Sequence, residues 1–299
     1  MTELELQHLR REKWRLDGEP IRTLEEGREF VDSAGMCLVY PVRPIPLLPT
    51  FIGAVIGGDQ KLPTRRNGFA DPRARAAEEL LVRLARSKFA FEGRLYGETL
   101  LLSPSVFPYY YALVGDRKPR QPIHSRASGK GSPLTEHLFH KLEEKGPLTR
   151  GQLQEQLGGA LSEPALDRAL DELCSALKIT AVDHNPKTGD TWDVYYRWTP
   201  ELVNEGVRTS DAEALSALIS KYLDCVVAAT QEEVETFFSA MASRTRVAEV
   251  VKALLAAREF IYTPSETRTL ITVAHSNVRS GAPSRGADTG TLGPRRRNG

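Results

Sequence analysis

Thr149-Arg-Gly-Gln152 and its echo about eighty residues later, Thr230-Gln-Glu-Glu233, decide how this chain is read. In each, a threonine is followed three residues on by Gln or Glu, the pattern in which the hydroxyl caps a helix and the longer side chain reaches back to the cap amide. Upstream of the first, Leu134, Leu138 and Leu142 recur at helical spacing until Gly146-Pro147 breaks the run. Downstream, Leu153 and Leu157 give a short second helix that stops at Gly158-Gly159. Ser162 and Pro164 then open a third helix bearing Leu166, Leu170, Leu173 and Leu177. Two β-favouring runs, Ile179–Val182 and Trp192–Trp198, flank the turn Asn185-Pro-Lys-Thr-Gly189. The second copy keeps that order. Ala214–Val227 is its first helix, Val234, Phe237 and Phe238 mark its short second helix, and Ser243 caps a third carrying Val247, Val250, Val251, Leu254 and Leu255. Strands Phe260–Tyr262 and Leu270–Val273 surround Thr263-Pro-Ser-Glu266. Three helices and a hairpin, twice at one period, predict tandem winged helix-turn-helix domains, a mainly α fold with small β-hairpins of the α+β class.

The N-terminal third is less regular. Leu24–Asp32 reads as a helix closed by Gly35, with Met36–Val42 as a buried strand or turn behind it. Three prolines in Arg43-Pro-Ile-Pro-Leu-Leu-Pro49 exclude a continuous helix or a central strand. Phe51-Ile-Gly-Ala-Val-Ile-Gly-Gly58 lacks the Gly-Lys-Ser/Thr ending of a phosphate-binding loop and reads as a packed apolar helix or strand. Ala74–Ala85 has the composition of a long helix. The expected organisation is a winged-helix-like domain with a basic bridge over residues 1–130, winged helices over 131–205 and 206–275, and a disordered basic tail over 276–299.

The 299 residues, 40% apolar and 26% charged, suffice for two or three buried cores. No apolar run approaches the eighteen or so residues of a membrane helix, and Met1–Trp14 is charged where a signal peptide is apolar, so the expectation is a cytoplasmic, nucleoid-associated, monomeric protein with no membrane partner. Cys37, Cys174 and Cys225 are too scattered for a disulfide framework or a thiolate metal site. His137 and His140, with Glu136 and Glu144 near, fit the polar face of a helix better than zinc. No metal and no cofactor are expected. Tyr109-Tyr-Tyr111, beside Phe107 and Leu113, reads as core at a domain junction rather than a platform for bases.

The net charge of +1 hides a bipolar chain. Residues 61–130 hold 14 basic and 6 acidic side chains, a balance of +8, whereas residues 131–275 hold 14 basic and 22 acidic, a balance of −8. Arginines along one face neutralise duplex phosphates without reading sequence. Arg43, Arg65, Arg66, Arg73 and Arg94 are the candidates in the N-terminal region, and Arg75, Arg83 and Arg86 share the long helix. The competing reading is that this positive face answers the acidic half of the same molecule. A helix-turn-helix offers the start of its third helix to DNA. There the second copy presents Arg244 and Arg246, whereas the first presents Ser162-Glu163-Pro164 with Asp167 beside Arg168, a surface better suited to protein.

Four further pieces carry a family resemblance from about Leu24 to Val273: Gly35-Met-Cys-Leu-Val-Tyr-Pro-Val42; Lys88-Phe-Ala-Phe91 with Leu100-Leu-Leu-Ser-Pro104 and Phe107-Pro-Tyr109; the doublet of capped units; and Tyr222-Leu-Asp-Cys-Val-Val-Ala-Ala-Thr230. Together they resemble the bacterial AlkZ and YcaQ family of winged-helix DNA glycosylases. The resemblance implies double-stranded DNA as partner and removal of bulky or crosslinking alkyl adducts by cleavage of the N-glycosidic bond. Family members carry Gln-x-Gln or Gln-x-Asp just before the Pro-Val stretch, to orient water and stabilise charge on the sugar. Here the matching positions are Leu38-Val39-Tyr40, and neither leucine nor a tyrosine hydroxyl of pKa about 10 is a competent base at neutral pH. Three readings follow: Tyr40 contributes a hydrogen bond to an altered mechanism, a carboxylate from elsewhere such as Asp32 substitutes, or the protein binds DNA without cutting it. A non-enzymatic transcription regulator or protein-interaction scaffold built from winged helices is the alternative outside the family chemistry.

Overall fold

Short polar caps set most helix starts in the chain, whose computed structural model describes residues 1–42, 47–58, 61–66, 68–125, 129–130, 132–158 and 162–274. Arg43 and the basic tail lie outside the described residues. Thr2 with Glu5 caps α1 (Glu3–Lys13), and Thr23 with Glu26 caps α2 (Leu24–Ala34), which closes at Gly35 with φ 71°. Then come β1 (Met36–Leu38), α3 (Phe51–Ile56), α4 (Pro72–Arg86), and a hairpin of β2 (Phe91–Leu95) and β3 (Glu98–Leu102). A helix α5 (Phe107–Val114) and the two-residue strands β4 (His124–Ser125) and β5 (Gly129–Lys130) lead out of this region. The first predicted copy consists of α6 (Pro133–Lys145), β6 (Leu148–Thr149), α7 (Arg150–Gln156), α8 (Glu163–Ser175), β7 (Ile179–Asn185) and β8 (Gly189–Val194). After α9 (Tyr195–Trp198) and α10 (Pro200–Arg208), the second copy follows as α11 (Asp211–Val226), α12 (Gln231–Phe238), α13 (Arg244–Ala256), β9 (Phe260–Pro264) and β10 (Thr269–Val273).

Both capping boxes of the repeat form, Thr149 with Gln152 and Thr230 with Glu233. The N-terminal region has the same topology as the first copy: its sheet runs β1-β3-β2, the other β6-β8-β7, each a short strand added to the far side of a hairpin. In the second copy a single bridge between Ala229 and Ile271 stands in for that added strand. The fold is thus mixed α and β, and of the four small antiparallel sheets among the described residues three are built on one plan, the fourth being the β4–β5 pair.

The predicted strand Trp192–Trp198 is shorter than its composition suggests. It ends at Val194, and Tyr195–Trp198 turns into α9. The reason is tertiary: the Tyr195 hydroxyl donates to the Glu92 carbonyl at 2.6 Å, and its ring lies 5.1 Å from that of Phe107, so the chain must leave the sheet to seat Tyr195 in the neighbouring core. Helix α11 also begins earlier than the apolar spacing implies, because Ser210 accepts from the Glu213 amide and caps it.

The apolar cores divide unevenly. Leu138, Phe139, Leu142, Leu153, Leu166, Leu170 and Leu173 give the first copy a core of its own. The second copy has no such independence: Leu218, Tyr222, Phe237, Phe238 and Val251 pack in one cluster with Met36, Leu38, Phe91, Leu100 and Phe107 of the N-terminal region. Tyr110 and Tyr111 are buried in that shared core. Helix α1 is seated on the second copy, where Arg10 donates to the carbonyls of Val226 at 2.9 Å and Ala228 at 2.6 Å. Between them Val227 holds φ 70°, a left-handed conformation that a β-branched residue adopts only when its surroundings over-determine it.

Candidate functional site

Helix α4 has two faces, and their separation creates the site. Ala74, Ala77, Leu80 and Leu84 are buried against the N-terminal core, while Arg75, Glu78, Val82 and Arg83 turn the other way. On β2 the alternation of a strand does the same, burying Phe91, Gly93 and Leu95 and leaving Glu92 and Arg94 on the opposite side. Gly93 has to be glycine there, since a Cβ would come within 2.7 Å of the Tyr110 ring. The hairpin of the first copy supplies the facing wall with Ala181, Asp183, His184, Asp190 and Trp192. Between these walls is a cleft of about 680 Å³.

Of Leu38 and Tyr40, only Tyr40 lines this cleft. Its hydroxyl donates to Oε1 of Glu78, in the middle of α4. Burial, reinforced by that bond to a carboxylate, pushes the Tyr40 hydroxyl well above the ordinary tyrosine range. Space for the hydroxyl comes from Gly68, where a Cβ would lie 2.5 Å from it. Leu38, 3% exposed, faces the other way: it pairs with Leu100 across the sheet and belongs to the core shared with the second copy. Asp32, the other carboxylate considered, is exposed on α2, where it pairs with Arg28 at 3.6 Å, and does not line the cleft.

Three of the six carboxylates that line the cleft have a basic side chain beside them. Arg65 reaches Glu98 at 3.9 Å, His184 Nδ1 lies 2.7 Å from Asp190, and Arg86 binds Asp183 across the cleft mouth. Arg86 holds the Asp183 carboxyl below its usual range. Glu92 moves the opposite way: the surrounding protein raises its pKa, with Arg94 opposing and Asp190 adding to the shift. Glu78 differs from these in that its bonded partner is a neutral hydroxyl. Among the described residues no cluster of His, Cys, Asp and Glu has the geometry to hold a metal ion, and His137 and His140 are exposed on α6. The three cysteines are buried as free thiols.

The predicted basic residues separate into groups. Arg65 is 68% exposed at the cleft edge, and Arg66 beside it is exposed with no ion pair among the described residues. Arg75 and Arg83, on the open face of α4, also have none. Arg73 is held 2.7 Å from Asp71, the residue that caps its own helix. Arg94 is half-buried, donating to Thr99 at 2.5 Å with Asp171 of α8 at 3.6 Å. Arg244 and Arg246 are exposed at the start of α13, with Arg246 3.3 Å from Glu249. The tip of the β2–β3 hairpin connects these groups. Tyr96 donates to the Thr236 carbonyl at 2.8 Å, Arg244 reaches the Thr236 hydroxyl at 3.4 Å, and Arg65 contacts Glu98 on the other side of the tip.

Part of the charge complementarity between the halves is therefore spent inside the molecule. Arg86 with Asp183, Arg94 with Asp171 and Arg117 with Asp211 (2.6 Å) all join the positive segment to the negative one. Among the basic residues of that segment without an ion pair among the described residues, Arg75 and Arg83 line the cleft, and Arg66 is next to Arg65 at its edge. Sequence reasoning missed Glu78 altogether. Its place on the polar face of α4 is visible in the helical spacing, but nothing local separates it from Glu79; the partner that does is Tyr40, 38 residues away.

Residues 66–294 match the profile of a family described as DNA glycosylase AlkZ-like. Among solved structures the chain is similar to the Streptomyces sahachiroi DNA glycosylase AlkZ, with a TM-score of 0.57 over 92% of this chain and 70% of that one. The two are 16% identical, so this likeness concerns the fold. No curated protein sequence matches the chain. The family match covers Glu78 and begins beyond Tyr40.

Proposed function

This chain belongs to the AlkZ-like DNA glycosylase family, and from that membership we propose that it binds damaged duplex DNA and hydrolyses the N-glycosidic bond of an alkylated base in the cleft beneath α4. The observation that carries the reading is the cleft itself. Its volume of about 680 Å³ falls within the roughly 300–1,000 Å³ usual for small-molecule sites, enough for a base taken out of the stack. The lining joins the rings of Tyr40 and Trp192 to the carboxylates of Glu78 and Asp190. Aromatic faces and negative charge suit a base made cationic by N7-alkylation, a base that is also a good leaving group. Among the residues that line the cleft, Arg65, Arg75 and Arg83, with the exposed Arg66 beside them, suit the phosphates on either side of an extruded nucleotide, and Arg244 and Arg246 extend the basic surface past the hairpin tip.

A duplex carrying one N7-methylguanine, incubated with the protein and then treated with hot alkali, tests the activity. Strand breaks at the lesion above those in protein-free and undamaged controls are the expected result. Arg65→Ala with Arg66→Ala should flatten the salt dependence of binding, each lost phosphate contact reducing the log–log slope by about 0.9. Salt-sensitive binding without strand breaks would favour a second reading, a DNA-binding protein without excision, whose supporting observation is the core-facing Leu38 at the motif position.

A further inference from the structure

We infer that Glu78 is the catalytic carboxylate of this protein, held in place by Tyr40 and standing in for the polar pair absent from Leu38-Val39-Tyr40. The inference rests on the glycosylase reading above and names the group that would activate water in it. Three observations converge on Glu78. It lines the cleft, half-buried, on the rigid middle of a fifteen-residue helix rather than on a loop. Tyr40, at the motif position, donates to its Oε1, which fixes that carboxylate oxygen and leaves Oε2 for another partner. Of the other acidic groups lining the cleft, Glu98 lies beside Arg65, Asp183 binds Arg86 and Asp190 contacts His184, burial favours the neutral form of Glu92, and Glu79 is exposed to solvent with no neighbour that orients it among the described residues. A carboxylate bound by a neutral hydroxyl keeps its full charge for a water proton or a sugar cation, whereas one paired with a guanidinium does not.

The step balances with water alone. Oε2 of Glu78 accepts a hydrogen bond from the attacking water. As the bond from C1′ to N9 of an N7-alkylated guanine breaks, its electron pair moves into the base and neutralises the positive charge there. The water oxygen bonds to C1′, and its departing proton passes to Glu78. The products are an abasic sugar, a neutral N7-alkylguanine and a protonated carboxyl that returns its proton to solvent. Tyr40 takes no part in bond making. It is a positioning residue, and its high hydroxyl pKa keeps it a donor throughout.

Single-turnover excision of N7-methylguanine from duplex DNA, measured beside equilibrium binding of the same duplex, tests this. Glu78→Gln keeps the shape and can still accept from Tyr40, so binding should change by less than about threefold while the excision rate falls about 10²–10⁴-fold. Glu78→Ala should be as slow, and added formate should restore part of its rate by supplying a free carboxylate, a rescue that a purely structural role would not give. Tyr40→Phe should slow excision about tenfold with binding intact, since it removes one positioning hydrogen bond. Asp32→Asn should match the wild type. An unchanged rate for Glu78→Gln, or no formate rescue of Glu78→Ala together with a melting temperature well below wild type, overturns the assignment of Glu78 while leaving the glycosylase reading in place. Absence of excision by the wild-type protein overturns both.

Discussion

The two repeats that the capping boxes announce carry the same elements in the same order, yet one keeps a core of its own and meets its neighbour through ion pairs and the edge residues Leu177 and Tyr195, whereas the other is fused to it through its whole apolar core. The first copy keeps its own core, and its third helix lies against the N-terminal hairpin with Asp171 3.6 Å from Arg94, while Asp167 near its start is tied to Arg150. The second shares its core with β1–β3 and leaves the start of its third helix exposed, with Arg244 and Arg246 in the first turn. A helix-turn-helix is therefore a scaffold whose use is settled by what covers its third helix. Acidic residues there suit packing against the basic N-terminal hairpin, where Asp171 meets Arg94, and arginines beside the positive end of a helix dipole suit phosphate.

The largest effects should come from the cores. Phe238→Ala and Phe139→Ala should each destabilise by about 3–5 kcal/mol, but in different places. Hydrogen exchange should show lost protection in β1–β3 for Phe238→Ala, because those strands share its core, and protection there retained for Phe139→Ala. Equal loss of protection in β1–β3 from both would mean that the first copy is no more separate than the second.

Next in size is Leu38→Gln, which puts a glutamine where the sequence resemblance expects one. Because Leu38 faces the shared core, the amide would be buried without a partner, lowering stability by about 1–3 kcal/mol in denaturant titrations with no gain in excision. A faster Leu38→Gln enzyme would show that this side chain can reach the cleft.

The recognition-helix contrast is sharpened by charge reversal. Arg244→Glu with Arg246→Glu should weaken duplex binding by about 1 kcal/mol or more, whereas Arg168→Glu on the exposed side of α8 should do much less. Fluorescence anisotropy at fixed salt measures both, and equal losses would mean that overall charge alone matters.

The smallest effect distinguishes ionic from apolar attachment. Arg86 depresses the Asp183 pKa, so this contact contributes above the unfolded carboxylate range and is lost as pH falls through the lowered folded value. Both side chains are about half exposed, so the contact is worth no more than about 0.2–1 kcal/mol. Below about pH 4, pepsin should cut between the first copy and the N-terminal region before it attacks the second copy, and Arg86→Ala should move the onset to higher pH. Simultaneous cleavage would remove the distinction.

What the sequence by itself determined was local. Thr149 with Gln152, Thr230 with Glu233, Ser243 before α13 and Gly35 after α2 act within a single turn of chain, so the residues that signal each boundary are the ones that make it. The repeat was legible for the same reason, and the opposed charges of the two halves could be counted. Tertiary structure alone decided which of those charges meet. It brought Arg86 to Asp183 across 97 residues, turned Tyr195 out of its strand to bind the Glu92 carbonyl, and anchored Arg10 on carbonyls more than two hundred residues away. The same holds at the cleft, where Tyr40 and Glu78 lie on a short stretch after β1 and on α4. Helical spacing gives each side chain a face, but no local rule says which faces will be opposite one another. That is fixed where the chain bends out of β1 after Leu38: in a continued strand Tyr40 would share the face of Leu38, and the bend turns it toward α4 instead.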